Sequence, residues 1–177
     1  LYEGPDREQI LIEGAKREGT LNFYTSFAET DLAKVVEGFE KKYGIKVNAW
    51  RSGTDNVLQR ILTEAQAGQT LYDAVHISGP EMEALVREKQ LQPVKSPYMK
   101  DLRPEVILPH GEYAVTMLTL YVQAYNTNLI KKEELPTSYQ ELLDPKWKGK
   151  IAHADPVKSG SSFTAVVNMI LAKGKGE

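Results

Sequence analysis

Three serines at the ends of apolar runs constrain the fold of this chain more than any other feature. Each follows a run typical of a strand, and each is followed three residues later by an acid and a helical pattern. Ser-x-x-acid before such a pattern is typical of a helix N-terminus, because the hydroxyl accepts from an exposed backbone N–H while the acid reaches back. The pairs are Ser26 with Glu29, Ser52 with Asp55, and Ser78 with Glu81.

Strand, capped turn and helix, repeated three times, predict a βαβαβ unit with a parallel sheet. The predicted strands are residues 21–25, 45–50 and 73–77, and the last is expected to be buried on both faces. Open α/β sheets bind ligands at the edge formed by the carboxyl ends of the strands. Each serine taken singly is expected to be a cap, but three on one edge lead us to expect that at least one contacts a ligand. The groups that would face a polar or anionic ligand there belong to Thr25, Ser26, Ser52, Gly53, Thr54 and Ser78.

The second half of the chain lacks the regular alternation of strand and helix patterns. Four prolines after residue 92 predict an irregular connection or a lobe boundary. We predict one bent strand or two over 113–126, a short capped helix over 138–143, a short strand over 150–154 and a helix over 163–172. The first lobe is placed at 1–110 and a partial second lobe at 111–177. Because the second lobe is thin for an independent core, we infer that the chain is incomplete.

Two further groups of residues are candidates for ligand contact. Small residues before the last predicted helix leave backbone N–H groups exposed to an anion, and an ordinary helix start with a flexible glycine is the equal alternative. In the predicted crossing strand, Tyr121 and Tyr125 share one face, and we expect one of them to line a cleft while the other packs in the core. The helix-start residues are Lys158, Ser159, Gly160, Ser161 and Ser162.

Composition and motif spacing exclude several classes of protein. The net charge is −2, so the chain lacks the basic excess that would indicate a nucleic acid partner. The chain has no cysteine, which excludes thiol catalysis and cysteine-based zinc sites. His76, His110 and His153 lie far apart and are interpreted as structural. Because no nucleophile, base and orienting group come together, we expect neither an enzyme nor a bound cofactor or metal site.

The chain resembles the type II periplasmic binding proteins, and within them the ferric-iron-type branch of ABC-transporter solute-binding proteins. The resemblance implies two α/β lobes joined by crossing strands, which close through a hinge near 121–126 over a small solute and pass it to a membrane permease. It also implies a periplasmic, monomeric receptor whose signal peptide is absent from this polar N-terminus. The residues that carry the resemblance are 13–27, 40–50, 72–79, 91–94, 125–130, 134–156 and 159–163.

The resemblance also sets expectations for the solute. In iron-binding members a histidine follows the first strand and a carboxylate follows the third, but the matching residues here are Ala28 and Ser78. The paired tyrosines of such sites would fall beyond Glu177. Residues 159–161 match a stretch that receives an anion oxygen in this branch. We therefore expect a small organic anion held between the three strand-end serines and residues 159–162. Ferric iron, and an α/β enzyme acting on a phosphorylated or acyl substrate, are the alternatives.

Overall fold

The computed structural model of the chain describes residues 2, 4–118, 120–156 and 160–173. It divides into two compact units, Leu1–Thr116 and Met117–Glu177. The lobe boundary expected at residue 110 stays a prediction. Within the described ranges, no helix combines the length and the apolar character that a membrane span requires.

The first unit alternates helices and strands in the predicted order. Two of its helices end at glycines in the left-handed region, Gly19 with a φ of 79° and Gly44 with a φ of 69°, where a residue with a Cβ would be strained. The elements are α1 (Arg7–Glu18), β1 (Thr20–Thr25), α2 (Glu29–Tyr43), β2 (Lys46–Arg51), α3 (Thr54–Gln66), β3 (Ala74–His76) and α4 (Gly79–Arg87).

The three strands form the predicted parallel sheet, in the order β2-β1-β3. Thr25 at the end of the central strand is in register with Arg51 of β2 and with His76 of β3. All three strands therefore end at one edge. β3 is only half-buried, not buried on both faces as predicted. In the described sheet it is an edge strand, paired with β1 on one side only.

The core lies between one face of the sheet and the helices α3 and α4. Val57 and Ile61, one turn apart on α3, are completely buried. The Tyr24 hydroxyl donates to Glu64 Oε1 at 2.8 Å, and the Arg60 guanidinium lies 4.5 Å from the centre of the Tyr24 ring. The buried residues of this cluster are Tyr24, Val57, Ile61, Tyr72, Ile77, Met82 and Leu85.

The second unit contains one α-helix, α5 (Gly160–Lys173), in its described part, together with short 3₁₀ segments. The Ser138 hydroxyl accepts from the Glu141 N–H at 3.3 Å, so the predicted cap there is confirmed, although the helix is a 3₁₀ turn, Gln140–Leu143. Residues 113–118, 120–126 and 150–154 form no strand, which differs from the prediction. Leu120 and Val122 are each 82% exposed. An apolar run becomes a strand only where another strand pairs with it, and no such partner lies beside these described residues.

Candidate functional site

The three strand-end serines lie at the same edge of the sheet, as predicted. The Ser26 N–H donates to the His76 carbonyl at 3.0 Å, and the Ser52 N–H donates to the Thr25 carbonyl at 3.1 Å. These bonds continue the sheet ladder one step beyond its last paired residues. Ser78 follows two residues after the end of β3 and directly precedes α4. The carboxyl edge of the sheet, residues 25–27, 51–55 and 76–81, is therefore the candidate site.

The capping role predicted for these serines is wrong. α2 begins after Ala28 and α3 begins after Gly53, so Ser26 and Ser52 lie too early in the chain to cap either helix. Ser78 does precede α4, but its side chain makes no capping hydrogen bond. The chain continues in an extended path for one or two residues after β1 and β2, which the local sequence pattern did not show.

The three serine hydroxyls therefore do not cap these helices, and each has a different environment. The Ser52 hydroxyl accepts from Asn56 Nδ2 at 3.2 Å, and the Ser78 hydroxyl lies 3.4 Å from that of Thr54. The Ser26 hydroxyl is half-buried, and it has no hydrogen-bond partner in the part of the chain that the structure describes. A hydroxyl without a protein partner is available to a ligand as donor or acceptor.

Arg51 is a site residue that the sequence reasoning missed. It is the last residue of β2, and its Nε donates to the Phe27 carbonyl at 2.6 Å. The bond ties the turn after β1 to the end of β2. The predicted strand stopped at residue 50, so Arg51 was not counted at the edge. Its position directly before Ser52 was the signal that could have found it.

His76 lies at the same edge, where the sequence reasoning had assigned only a structural role. Its ring stacks on Phe27, its Nε2 is 3.1 Å from the Thr116 hydroxyl, and its Nδ1 is buried without a hydrogen-bond partner. Burial lowers the pKa of His76, which favours the neutral imidazole. A neutral imidazole with an unpaired nitrogen is a potential metal ligand.

Two carboxylates begin the helices at this edge, Asp55 on α3 and Glu81 on α4. Glu81 Oε2 is buried and has no hydrogen-bond partner. Burial raises the pKa of Glu81, a hydrogen bond from its own backbone offsets part of the rise, and the nearby charge of Asp55 adds to it. Among the residues that the structure describes, no three histidine, aspartate or glutamate side chains are grouped closely enough to hold a metal by themselves.

Two of the predicted ligand residues in the first unit have local roles. Thr25 is completely buried, and its hydroxyl accepts from the Phe27 N–H at 3.0 Å. Gly53 is the residue before α3 and has an extended backbone. A contact between either residue and a ligand stays a prediction.

The candidates of the second unit are only partly described. Ser159 lies outside the described residues, and Gly160 and Ser161 begin α5, where the side chain of Ser161 also lies outside them. Ser162 is 6% exposed and donates to the Ala154 carbonyl at 2.5 Å. Tyr125 is 38% exposed. The predicted ligand contacts of these residues are untested.

Comparison with known proteins finds a matching family and two similar sequences. The family model described as "Bacterial extracellular solute-binding protein" matches residues 74–177. The chain is 28% identical over 165 residues to the Fe(3+)-binding periplasmic protein of Serratia marcescens, covering 93% of this chain and 47% of that protein. It is also 28% identical over 177 residues to the iron uptake protein A1 of Synechocystis, covering 98% of this chain and 47% of that protein. The chain thus spans about half the length of these relatives.

Solved structures share the fold. Iron-bound HitA from Pseudomonas aeruginosa superposes with a TM-score of 0.70 at 22% identity, covering 88% of this chain and 50% of HitA. Trichodesmium IdiA (FutA), in complex with iron and citrate, gives a TM-score of 0.64 at 23% identity, covering 88% of this chain and 49% of that protein. These matches confirm the expected α/β fold of the type II periplasmic binding proteins. Because the family model covers more than half of the sequence, the chain belongs to the family of bacterial extracellular solute-binding proteins.

Proposed function

We propose that this chain serves as the solute-binding component of an ABC importer and that its solute is ferric iron. Both sequence relatives named above carry iron in their names, and both structural relatives are iron complexes. Ferric iron is thus better supported than the metal-free organic anion that we expected first. Delivery to a membrane permease, a periplasmic location and a monomeric state are parts of the same proposal.

One observation in the structure carries the proposal: two buried polar atoms without hydrogen-bond partners belong to residues at the carboxyl edge of the sheet. They are His76 Nδ1 and Glu81 Oε2. Unpaired buried polar atoms cost free energy, so their presence at the edge where open α/β sheets bind ligands supports a site organised for a ligand. Imidazole nitrogen and carboxylate oxygen are both suited to iron.

Ala28 and Ser78 stand where iron-binding members of the family have a histidine and a carboxylate, and neither residue can replace those ligands. His76 and Glu81 carry the two missing chemical groups close by in the sequence. An imidazole lies two residues before Ser78, and a carboxylate lies three residues after it. We propose that His76 and Glu81 supply those two chemical groups from neighbouring positions. Asp55 adds negative charge that favours a cation.

The enzyme alternative has little structural support. A serine–histidine contact does occur in the described residues, since Ser162 Oγ lies 2.9 Å from His153 Nδ1. However, the hydroxyl is buried and donates to the Ala154 carbonyl. A nucleophile must be accessible and must give its proton to the base, so this serine favours a structural role at the start of α5.

A thermal-shift titration of the purified protein tests the proposal. Ferric iron supplied from acetohydroxamate is compared with phosphonates, sugar phosphates and carboxylates free of metal. A ligand that binds only the folded state at 100 times its Kd adds about 2.7 kcal/mol to the free energy of unfolding. We expect stabilisation by iron and at least a tenfold (about 1.4 kcal/mol) loss of iron affinity in Glu81→Gln. The exposed Glu105→Gln is the matched control. Stabilisation by a metal-free anion alone, or turnover of any compound, would overturn the proposal.

A further inference from the structure

We infer that Phe27 orients the imidazole of His76 for the metal, and that Arg51 contributes to binding only by holding Phe27 in place. This inference rests on the proposed function and adds two positioning residues to it. Neither of them has to touch the iron, because each acts through the next residue in the order Arg51, Phe27, His76.

The ring of Phe27 restricts how the imidazole can turn. The two rings are nearly parallel, inclined by 8°, and their centroids are 3.8 Å apart, which is van der Waals contact. Rotation of the imidazole about its bond to Cβ would drive the edge of that ring into the phenyl ring. The stack therefore fixes the plane of the His76 ring.

The fixed plane matters because one ring nitrogen of His76 is available. Its Nε2 lies 3.1 Å from the Thr116 hydroxyl, whereas its Nδ1 is buried and has no hydrogen-bond partner. The lone pair of an imidazole nitrogen lies in the plane of the ring, so a metal has to approach Nδ1 within that plane. Residues that fix the plane of a ligating histidine therefore fix the direction from which it binds the metal.

Phe27 is itself held at three points, although it lies in the turn after β1. Its N–H donates to Thr25 Oγ1 at 3.0 Å, and Thr25 is completely buried. Its carbonyl accepts from Arg51 Nε at 2.6 Å. Its ring packs against that of Phe23 on β1, with the centroids 6.4 Å apart. These contacts make the phenyl ring a rigid support for the imidazole.

The part of Arg51 is indirect. Its guanidinium carries a permanent positive charge, so direct contact with ferric iron would be repulsive. Its hydrogen bond to the Phe27 carbonyl instead ties the turn after β1 to the end of β2, opposite the bond that Thr25 makes to the N–H of the same residue. Arg51 therefore influences the metal through the position of the phenyl ring.

The first test measures iron affinity by equilibrium dialysis, with radioactive iron supplied from acetohydroxamate. Phe27→Leu keeps an apolar side chain but loses the flat ring, so it should bind iron about tenfold more weakly. Phe27→Tyr keeps the ring and should stay within about twofold of the wild type. Phe39→Leu is the matched control, because Phe39 is also half-buried and packs against another ring, that of Tyr43 on α2. It should bind as the wild type does.

The second test observes the stack directly and needs no iron. The ring current of Phe27 should shift the ring protons of His76 upfield in the proton NMR spectrum. His76→Gln identifies the signal among the three histidines of the chain. We expect the shift to persist in Phe27→Tyr and in Phe39→Leu, and to disappear in Phe27→Leu. A general loss of folding would instead change the signals of all the histidines.

The third test is a double-mutant cycle between Arg51 and Phe27. Arg51→Gln should weaken iron binding about threefold, because the turn loses one of its anchors. The double variant, with Arg51→Gln and Phe27→Leu, should bind no more weakly than Phe27→Leu alone, since Arg51 has nothing left to position.

The outcomes distinguish this inference from the proposed function. If Phe27→Leu binds iron normally, or loses affinity while the His76 signal stays in place, the orienting role of Phe27 is overturned and the iron receptor stands. If the losses of the two single variants multiply in the double variant, the indirect role of Arg51 is overturned. If the wild type retains no iron, the proposed function is overturned and this inference with it.

Discussion

The imidazole of His76 lies flat against the ring of Phe27, with ring centroids 3.8 Å apart and planes inclined by 8°. The two residues come from different strand ends, so this contact joins the turn after β1 to the end of β3. Phe27 covers the imidazole, and Thr116 Oγ1 lies 3.1 Å from its Nε2. The stack therefore links the candidate site to the last residue of the first unit.

Protonation of His76 should destabilise the first unit. Burial lowers its pKa in the folded state below the ordinary value of 6.5, so the unfolded state binds more protons as the pH falls below that value. The contribution of the neutral imidazole to stability is thus present above pH 6.5 and is lost as the pH falls through the folded pKa. We expect His76→Gln to lose less stability than the wild type between pH 7.5 and pH 5.5, as measured by urea denaturation.

Thr116→Val is the matched control for this prediction. It removes the hydrogen-bond partner of Nε2 but leaves the titrating group in place, so it should keep the pH dependence of the wild type. Equal pH dependence in His76→Gln and in the wild type would contradict the assignment.

Glu81→Gln should stabilise the protein at neutral pH, although under the proposed function it should weaken iron binding. Burial raises the pKa of Glu81 in the folded state, so the free energy of unfolding falls as the pH rises past its ordinary value of 4.5. Removing the charge should add up to about 1 kcal/mol at pH 7 and less at pH 4, as measured by chemical denaturation. Site residues commonly trade stability for binding in this way. A destabilised Glu81→Gln at pH 7, with Glu105→Gln neutral, would show that the buried carboxylate has an unseen partner.

Tyr113 should ionise unusually late. Burial, together with its hydrogen bond to Glu83 at 2.7 Å, raises the pKa of Tyr113 from 10.0 to about 12. The stability that depends on the neutral phenol is therefore present below pH 10 and lost as the pH approaches 12. The difference between the phenolate absorbance titrations of the wild type and Tyr113→Phe should show one group with a midpoint near 12.

At neutral pH, Tyr113→Phe should cost about 1 kcal/mol, because its acceptor Glu83 is partly exposed. A difference titration centred near 10 would mean that the phenol is not held by Glu83.

Ile61 should be among the most sensitive core positions of the first unit. It is completely buried between the sheet and α4, so Ile61→Ala should lower the free energy of unfolding by about 2–5 kcal/mol through lost burial and the cavity left behind. Ile10, which is 44% exposed on α1, is the control, and Ile10→Ala should change stability by less than about 0.5 kcal/mol. Similar losses in both variants, measured by urea denaturation, would place the core elsewhere.

The sequence predicted the parallel βαβαβ unit and the shared edge of its strands because both follow from local patterns. The stripe that includes Val57 and Ile61 has helical spacing, and each of the first two strands is a short apolar run after a glycine. Such patterns depend on neighbours a few residues away, so they survive without knowledge of the tertiary structure. The prediction that Ser26 caps α2 was wrong for a local reason, because the turn after β1 is longer than the Ser-x-x-acid pattern implies.

Tertiary structure alone decided which side chains meet at the edge. Arg51 and Phe27 are far apart in sequence, as are Phe27 and His76, and only the β2-β1-β3 order brings them together. Tertiary structure also explains why the described residues of 113–126 form no strand. Their composition suits one, but no strand pairs with them in the described structure. The order of helices and strands can thus be predicted from the sequence, because it depends on short-range periodicity. The candidate site forms only when long-range backbone pairing sets the register of three strands.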